Sequence, residues 1–194
     1  MHSIGRLNSK VFLIAGVGRL GSQIAMMSAA VLEPKKLILY DIKDLSGDIM
    51  DLRHACGGLE LITEITEKIG PSDYVIIAAG RPRREKKDWK DSTLYRQNLA
   101  TVFEVLEVLQ KRGAFKRSTS LIIMTNPVLK ISKAVSSRMN GYRVYNPEEF
   151  LMRLRGGKEL GWKIVKTKGY TDLGAAVSCI RLIEDIEKSG GSAV

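Results

Sequence analysis

Three glycines and one acid carry the clearest chemical signal in this sequence. Gly16, Gly18 and Gly21 follow the apolar run Val11-Phe12-Leu13-Ile14-Ala15 with the spacing G-x-G-x-x-G. Asp41 ends a second apolar run, Leu37-Ile38-Leu39-Tyr40, some twenty residues later. A glycine at position 16 permits a tight turn, and Gly18 has no side chain to hold a pyrophosphate away from the backbone. Gly21 lets the following helix lie close on the strand. The N-terminus of that helix offers unpaired N–H groups and a partial positive charge to phosphate. Asp41 is placed to accept hydrogen bonds from the 2′- and 3′-hydroxyls of a ribose. An acid there repels an added 2′-phosphate, so the pattern predicts NAD rather than NADP. A glycine-rich turn without a ligand has the same spacing. The strand run before it, the helical pattern after it (Ile24, Ala25, Met27, Ser28, Val31) and the acid at its distance favour the dinucleotide.

The other reactive residue types are sparse. Cys56 and Cys179 have no metal-ligand spacing and read as buried small apolar groups in a reducing compartment, so no metal is expected. His54 falls in a helical pattern, and His2 lies in a polar lead-in. The net charge is +10, which raises nucleic acid as a partner. The densest patch, Arg81 to Lys90, holds six bases and two acids. It reads as a solvated loop or as a loop that attracts an anionic substrate. Aromatic residues make up only 6% of the chain and form no RNA-binding motif, which disfavours nucleic acid. No window of eighteen apolar residues spans a membrane, and Met1 to Lys10 lacks a signal-peptide run, so a cytoplasmic location is expected.

The elements that must position these residues alternate in type. Val11 to Ala15 reads as a central strand, residues 19–31 as a helix, and Leu37 to Asp41 as a second strand after Pro34. Asp44 to His54 reads as a short helix capped by Asp44 or Ser46, and Leu59 to Ile65 as a third strand. Asp73 to Gly80 is a fourth strand whose small end, Ala79 and Gly80, lets a ligand approach the backbone. Ser92 to Lys111 is a long amphipathic helix with Leu94, Val102, Val105, Leu106 and Leu109 on one side. Leu121 to Met124 is a fifth strand closed by Thr125-Asn126-Pro127, and Val128 to Met139 is helical. Beyond it the sequence suggests a short strand at Tyr142 to Tyr145 and a helix at Pro147 to Arg155 with Asn146 as its cap. Lys163 to Thr167 is short and partly β-branched, and Leu173 to Glu187 reads as a final helix. The fold class is therefore α/β, a doubly wound parallel (Rossmann) sheet.

Several blocks resemble the NAD-dependent malate and lactate dehydrogenases. They are Gly16 to Gly21, Leu39-Tyr40-Asp41, Gly47 to His54, Ser72 to Arg83, Asn98 and Thr125-Asn126-Pro127-Val128. Lys166 to Thr171 resembles a segment of that family's substrate domain. The resemblance implies that Gly16, Gly18, Leu20 and Gly21 hold the pyrophosphate, that Asp41 binds the adenosine ribose, and that Ala79 and Gly80 line the cofactor groove. It implies that Asn126 sits between nicotinamide and substrate. It puts Arg83 at the substrate-discriminating position, where a guanidinium forks onto the second carboxylate of malate or oxaloacetate; a solvated base in a basic loop is the plainer alternative. Thr171 would lie by the substrate, or would simply cap a helix. The resemblance divides the chain into an NAD-binding Rossmann domain, 1–144, and a remnant of the substrate domain, 145–194. It also suggests a homo-oligomer assembled through helices on the sheet's flank.

The departures concern catalysis. The family's proton donor is a histidine in a His-Gly-Asp segment, and this sequence has only His2 and His54, of which His54 matches a family block that is structural and so implies a packed helical histidine. The Leu-Asp-x-x-Arg segment, which carries the aspartate partner and the carboxylate clamp, is missing as well, as if the middle of the substrate domain were lost. No catalytic residue is identified. Three functions follow: an oxidoreductase acting on a 2-hydroxy or 2-keto acid, a non-catalytic NAD-binding or partner-binding module, and a basic nucleic-acid-binding protein on the same scaffold.

Overall fold

Val11–Ala15 (β1) has apolar side chains on both faces, and such a strand is stable only between two layers. The computed structural model, which describes residues 7–57, 60–62, 68–82, 92–148, 163–164, 166–168 and 172–190, supplies both. β1 is followed by α1 (Arg19–Met27), β2 (Lys36–Tyr40), α2 (Ser46–Ala55), β3 (Glu60–Ile62) and β4 (Tyr74–Ile77). Then come α3 (Ser92–Lys111), β5 (Ser120–Ile123), α4 (Val128–Arg138), β6 (Arg143–Tyr145) and α5 (Leu173–Lys188). The six strands lie in the order β3-β2-β1-β4-β5-β6, and every pairing is parallel. Strand order reverses between β1 and β4, and a sheet of this kind opens a ligand crevice at that point, beyond the strands' C-terminal ends.

Alternate side chains feed the two layers. Phe12, Ile14, Leu37, Leu39, Tyr74 and Ile76 point to the face covered by α1 and α5, where Ala176, Cys179, Ile180, Ile183 and Ile186 complete the core. Leu13, Ala15, Ile38, Val75, Ile77, Leu121 and Ile123 point to the other face, under α3 and α4. The final helix thus belongs to the same core as the first. Its last turn is tied to the sheet by the Tyr74 hydroxyl, which donates to Glu187 Oε1 at 2.5 Å, and by Lys10 Nζ at 3.3 Å from that carboxylate. Burial and the neighbouring Glu187 carboxylate push the Tyr74 phenol well above its usual range.

Several expectations need correction. The first helix does not run on regularly to residue 31: Ser28–Leu32 forms a π-turn. The wider turn rotates Leu32 into the core and leaves Val31 51% exposed. His54 is helical but exposed in the last turn of α2, because among the described residues that helix buries only Leu52. Cys179 is fully buried, and burial pushes its thiol up to about 12. Cys56 is only half-buried. The cap of α2 is Leu45, with Ser46 the first helical residue, although the Asp44 carboxylate does accept the Ser46 N–H at 2.9 Å. Lys163, Ile164 and Lys166–Lys168, given no element from the sequence, are helical. Residues 59 and 63–65 of the expected third strand and most of the helix expected at 147–155 lie outside the described residues. Asn146 Oδ1 nonetheless accepts the Glu148 N–H at 3.1 Å, as a cap does.

The strands' N-terminal edge is fastened by Asp73. Its carboxylate accepts the Val11 N–H at 2.8 Å and the Lys116 ammonium at 2.7 Å, joining β1, β4 and the segment before β5. Burial pushes this carboxyl up. Lys116 and the Val11 N–H outweigh that effect and leave it below the usual range. A carboxyl depressed on folding contributes stability above its unfolded value of about 3.9 and loses it as pH falls through the folded value. Asp73→Asn is expected to cost about 1.5–3 kcal/mol near neutral pH. The gap between variant and wild type should close below about pH 4. Urea denaturation at a series of pH values measures this, and a gap that does not change with pH would contradict it.

Candidate functional site

The site is assembled where four strands end. The β1–α1 turn brings Gly16, Gly18, Leu20 and Gly21, β2 is followed by Asp41, β4 by Ala79 and Gly80, and β5 by Asn126. The parallel register places all of these on the same edge of the sheet, beside the reversal between β1 and β4. Arg83 and Thr171 lie outside the described residues.

The three glycines of the turn differ in what surrounds them. Gly16 has φ +92°, and a Cβ there would stand 2.2 Å from the Ala79 backbone nitrogen. A Cβ on Gly21 would stand 2.0 Å from the Gly16 carbonyl oxygen. Both glycines are therefore required by the protein's own backbone: one where β1 passes the end of β4, the other where α1 folds back on β1. Gly18 precedes α1 in an extended conformation, and a Cβ there would meet nothing within 4 Å. No neighbouring atom demands a glycine at this position. The open space lies at the N-terminus of α1, where backbone N–H groups and the helix dipole suit phosphate.

Asp41 stands beside that space, half-buried at the end of β2. One carboxylate oxygen accepts the Val17 N–H at 2.6 Å and the other the Lys43 N–H at 3.1 Å. These bonds fix the carboxylate, and each oxygen keeps a second lone pair for an external hydroxyl. The next loop is held in turn. Lys43 Nζ lies 2.8 Å from Asp48 Oδ2, and Ser22 Oγ lies 3.0 Å from Asp48 Oδ1 and 2.7 Å from the Gly18 carbonyl oxygen. Open backbone at a helix N-terminus beside an oriented carboxylate fits a pyrophosphate joined to a ribose.

On the far side of the crevice the ends of β4 and β5 are joined by one buried side chain. Asn98 of α3 is fully buried; its Oδ1 accepts the Arg81 N–H at 2.7 Å. Its Nδ2 donates to the Arg81 carbonyl at 3.0 Å and the Asn126 carbonyl at 2.7 Å. Thr125 Oγ1 donates to the Ala79 carbonyl at 2.7 Å. Gly80, at φ +154°, has the Thr125 methyl and Asn98 so close that a Cβ would collide at 2.6 Å. Sequence reasoning named Asn98 without giving it a role. A signal was available: it is the polar member of a buried α3 stripe otherwise made of Leu94, Val102, Leu106 and Leu109. Ser22 and Asp48 had no comparable signal, because an acid or serine in the first turns of a helix is usually solvated or capping.

Among the described residues no histidine stands at this edge. His54 is exposed in the last turn of α2, and His2 lies outside the described residues. Among the described residues no group of histidine, cysteine or acidic side chains is arranged to hold a metal ion, and no helix is long and apolar enough to cross a membrane.

Comparison with known proteins bears on the family and the fold. A family model described as lactate/malate dehydrogenase, NAD binding domain, matches residues 9–145. No curated protein sequence matches. Among solved structures, lactate dehydrogenase from Eimeria maxima, crystallised with NADH and oxamate, aligns with a TM-score of 0.71 at 17% identity. That alignment covers 91% of this chain and 73% of the other. L-lactate dehydrogenase from Clostridium thermocellum aligns with a TM-score of 0.70 at 17% identity, over 91% of this chain and 76% of the other. Malate dehydrogenase from Cryptosporidium parvum aligns with a TM-score of 0.60 at 24% identity, over 79% of this chain and 52% of the other. At these identities the structural matches speak for the fold.

Proposed function

Since this chain belongs to the lactate/malate dehydrogenase family through its NAD-binding domain, we propose that it binds NAD(H) in the crevice between the β1–α1 turn and the ends of β4 and β5. The observation that carries this reading is the unfilled space over Gly18 beside the fixed carboxylate of Asp41. Gly16, Gly18, Leu20 and Gly21 would hold the pyrophosphate, Asp41 the adenosine ribose, and Ala79 and Gly80 the wall of the groove. Asn126 would bond to both nicotinamide and substrate. A bound nicotinamide supplies hydride chemistry. The substrate class is a 2-hydroxy or 2-keto acid, and Arg83 in the basic loop favours malate and oxaloacetate over lactate and pyruvate. Thr171 is the remaining substrate contact.

The chain's own residues would bind and orient the cofactor, but its two histidines, His2 and His54, do not lie in a His-Gly-Asp segment of the kind that supplies the family's proton donor. A positioned general acid or base is commonly worth ~10²–10⁴ in rate. We therefore assign cofactor binding as the retained function and place hydride transfer at least about 10²-fold below that of an ordinary dehydrogenase. Titration calorimetry with NADH, followed by NADH oxidation with oxaloacetate and with pyruvate, tests both parts. Binding with turnover far below about 1 s⁻¹ is expected. A folded protein with no NADH affinity would overturn the cofactor reading, and turnover at ordinary dehydrogenase rates would overturn the assignment of a site without its proton donor. Assembly into a homo-oligomer is a further part of this reading, read out by sedimentation.

A further inference from the structure

Asp41 is the expected reason for choosing NAD over NADP, yet a cation stands beside it. The Lys43 N–H donates to Asp41 Oδ1 at 3.1 Å, which anchors the Lys43 backbone at the carboxylate that would face the ribose. The Lys43 side chain is 46% exposed, and a lysine stem is long and flexible enough to swing toward that ribose. A basic residue near this position is how dinucleotide sites of this type accommodate a 2′-phosphate. The ammonium is instead held 2.8 Å from Asp48 Oδ2. Asp48 is itself fixed: its other oxygen lies 3.0 Å from Ser22 Oγ, which in turn lies 2.7 Å from the Gly18 carbonyl. The link Ser22–Asp48–Lys43, made through a hydroxyl whose single proton the Asp48 carboxylate and the Gly18 carbonyl compete for, ties the cation to the first turn of α1. Two carboxylates, Asp41 and Asp48, then outnumber one ammonium.

We propose that Asp48 is a second determinant of cofactor choice, acting as a positioning residue that keeps the Lys43 ammonium away from the ribose 2′-position. The inference rests on the NAD reading above. An exposed ion pair contributes little to folding, so Asp48→Asn, which keeps the size and a polar partner for Ser22, leaves the fold intact. Its effect appears instead on a ligand carrying an extra phosphate of nearly two negative charges.

The experiment is calorimetric titration of NADH and NADPH into wild type, Asp48→Asn and the double variant Asp48→Asn/Lys43→Met, with thermal unfolding as a check on folding. Asp48→Asn is expected to raise the NADPH:NADH affinity ratio about tenfold, by freeing one charge-assisted contact. The double variant is expected to return the ratio to the wild-type value, and the gain should shrink in high salt. If Asp48→Asn unfolds, Asp48→Ser takes its place. A wild type that binds NADH, with a ratio that Asp48→Asn does not change, overturns the assignment to Asp48 alone. A gain that survives removal of Lys43 overturns it as well. A folded wild type with no NADH affinity overturns the cofactor reading, and this inference with it.

Discussion

Gly16→Ala and Gly21→Ala are expected to unfold the chain or leave it barely stable, whereas Gly18→Ala is expected to fold normally and lose affinity for NADH. Overpacking a filled site typically costs about 1–3 kcal/mol. The upper end applies here because the atoms in the way are backbone: the Gly16 carbonyl oxygen, 2.0 Å from a Cβ on Gly21, and the Ala79 nitrogen, 2.2 Å from one on Gly16. At Gly16 the left-handed conformation adds about 1–2 kcal/mol. The Gly16→Ala total of about 4–5 kcal/mol is a large share of a typical domain stability of about 5–15 kcal/mol. A Cβ on Gly18 touches nothing, so its stability should stay within about 0.5 kcal/mol of wild type. It would occupy the space assigned to the pyrophosphate, and NADH affinity should fall at least about tenfold. Urea midpoints and NADH calorimetry on the three variants form the test. A Gly18→Ala protein as unstable as the other two would remove the distinction between backbone-required and ligand-required glycine.

Asn98→Leu is expected to cost about 2–4 kcal/mol, the second large effect. Three backbone groups lose their partner at once: the Arg81 N–H and the Arg81 and Asn126 carbonyls. Each buried polar group left unpaired costs about 1–3 kcal/mol, less where water reaches it. Asn98→Asp should be worse than leucine near neutral pH, because it presents a carboxylate to two carbonyl oxygens that now receive a donor. Since Asn98 alone links the segment after β4 to Asn126 in this way among the described bonds, the loss should extend beyond stability. NADH affinity should fall in variants that remain folded. Denaturation midpoints that leave both variants near wild type would show that this amide does not hold the two strand ends together.

The layout of the sheet was legible in the sequence because a central parallel strand leaves a strong trace. Val11–Ala15 and Tyr74–Ile77 are apolar on both faces, and the helices between strands carry a one-sided stripe. The turn after β1 and the end of β2 were legible too, because Gly16, Gly18 and Gly21 mark the one and Asp41 the other. Other features were not. Val31 fits a helical stripe, but periodicity cannot show that the ladder widens to a π-turn after Met27 and passes the inward position to Leu32. His54 reads as packed only if its helix is buried, and α2 lies on the surface. The links from Ser22 to Asp48 and from Asn98 to Asn126 join residues 26 and 28 positions apart. Such pairings depend on how elements meet, which local patterns do not encode.

The helix α5 has a consequence for how the chain is made. Tyr74 and its partner Glu187 are 113 residues apart, so the part of the sheet face under α5 stays open until residue 187 has left the ribosome. Phe12, Ile14, Tyr74 and Ile76 are all in place long before α5, which shares their cover with α1, exists. At a synthesis rate of about 5–20 residues per second, the part of that face under α5 would stay uncovered for about 6–20 seconds. Long-range closure of this kind also folds slowly, because the entropy of bringing distant segments together is lost before their contacts form. The last helix therefore sets the interval during which the nascent sheet is exposed to aggregation and open to chaperones.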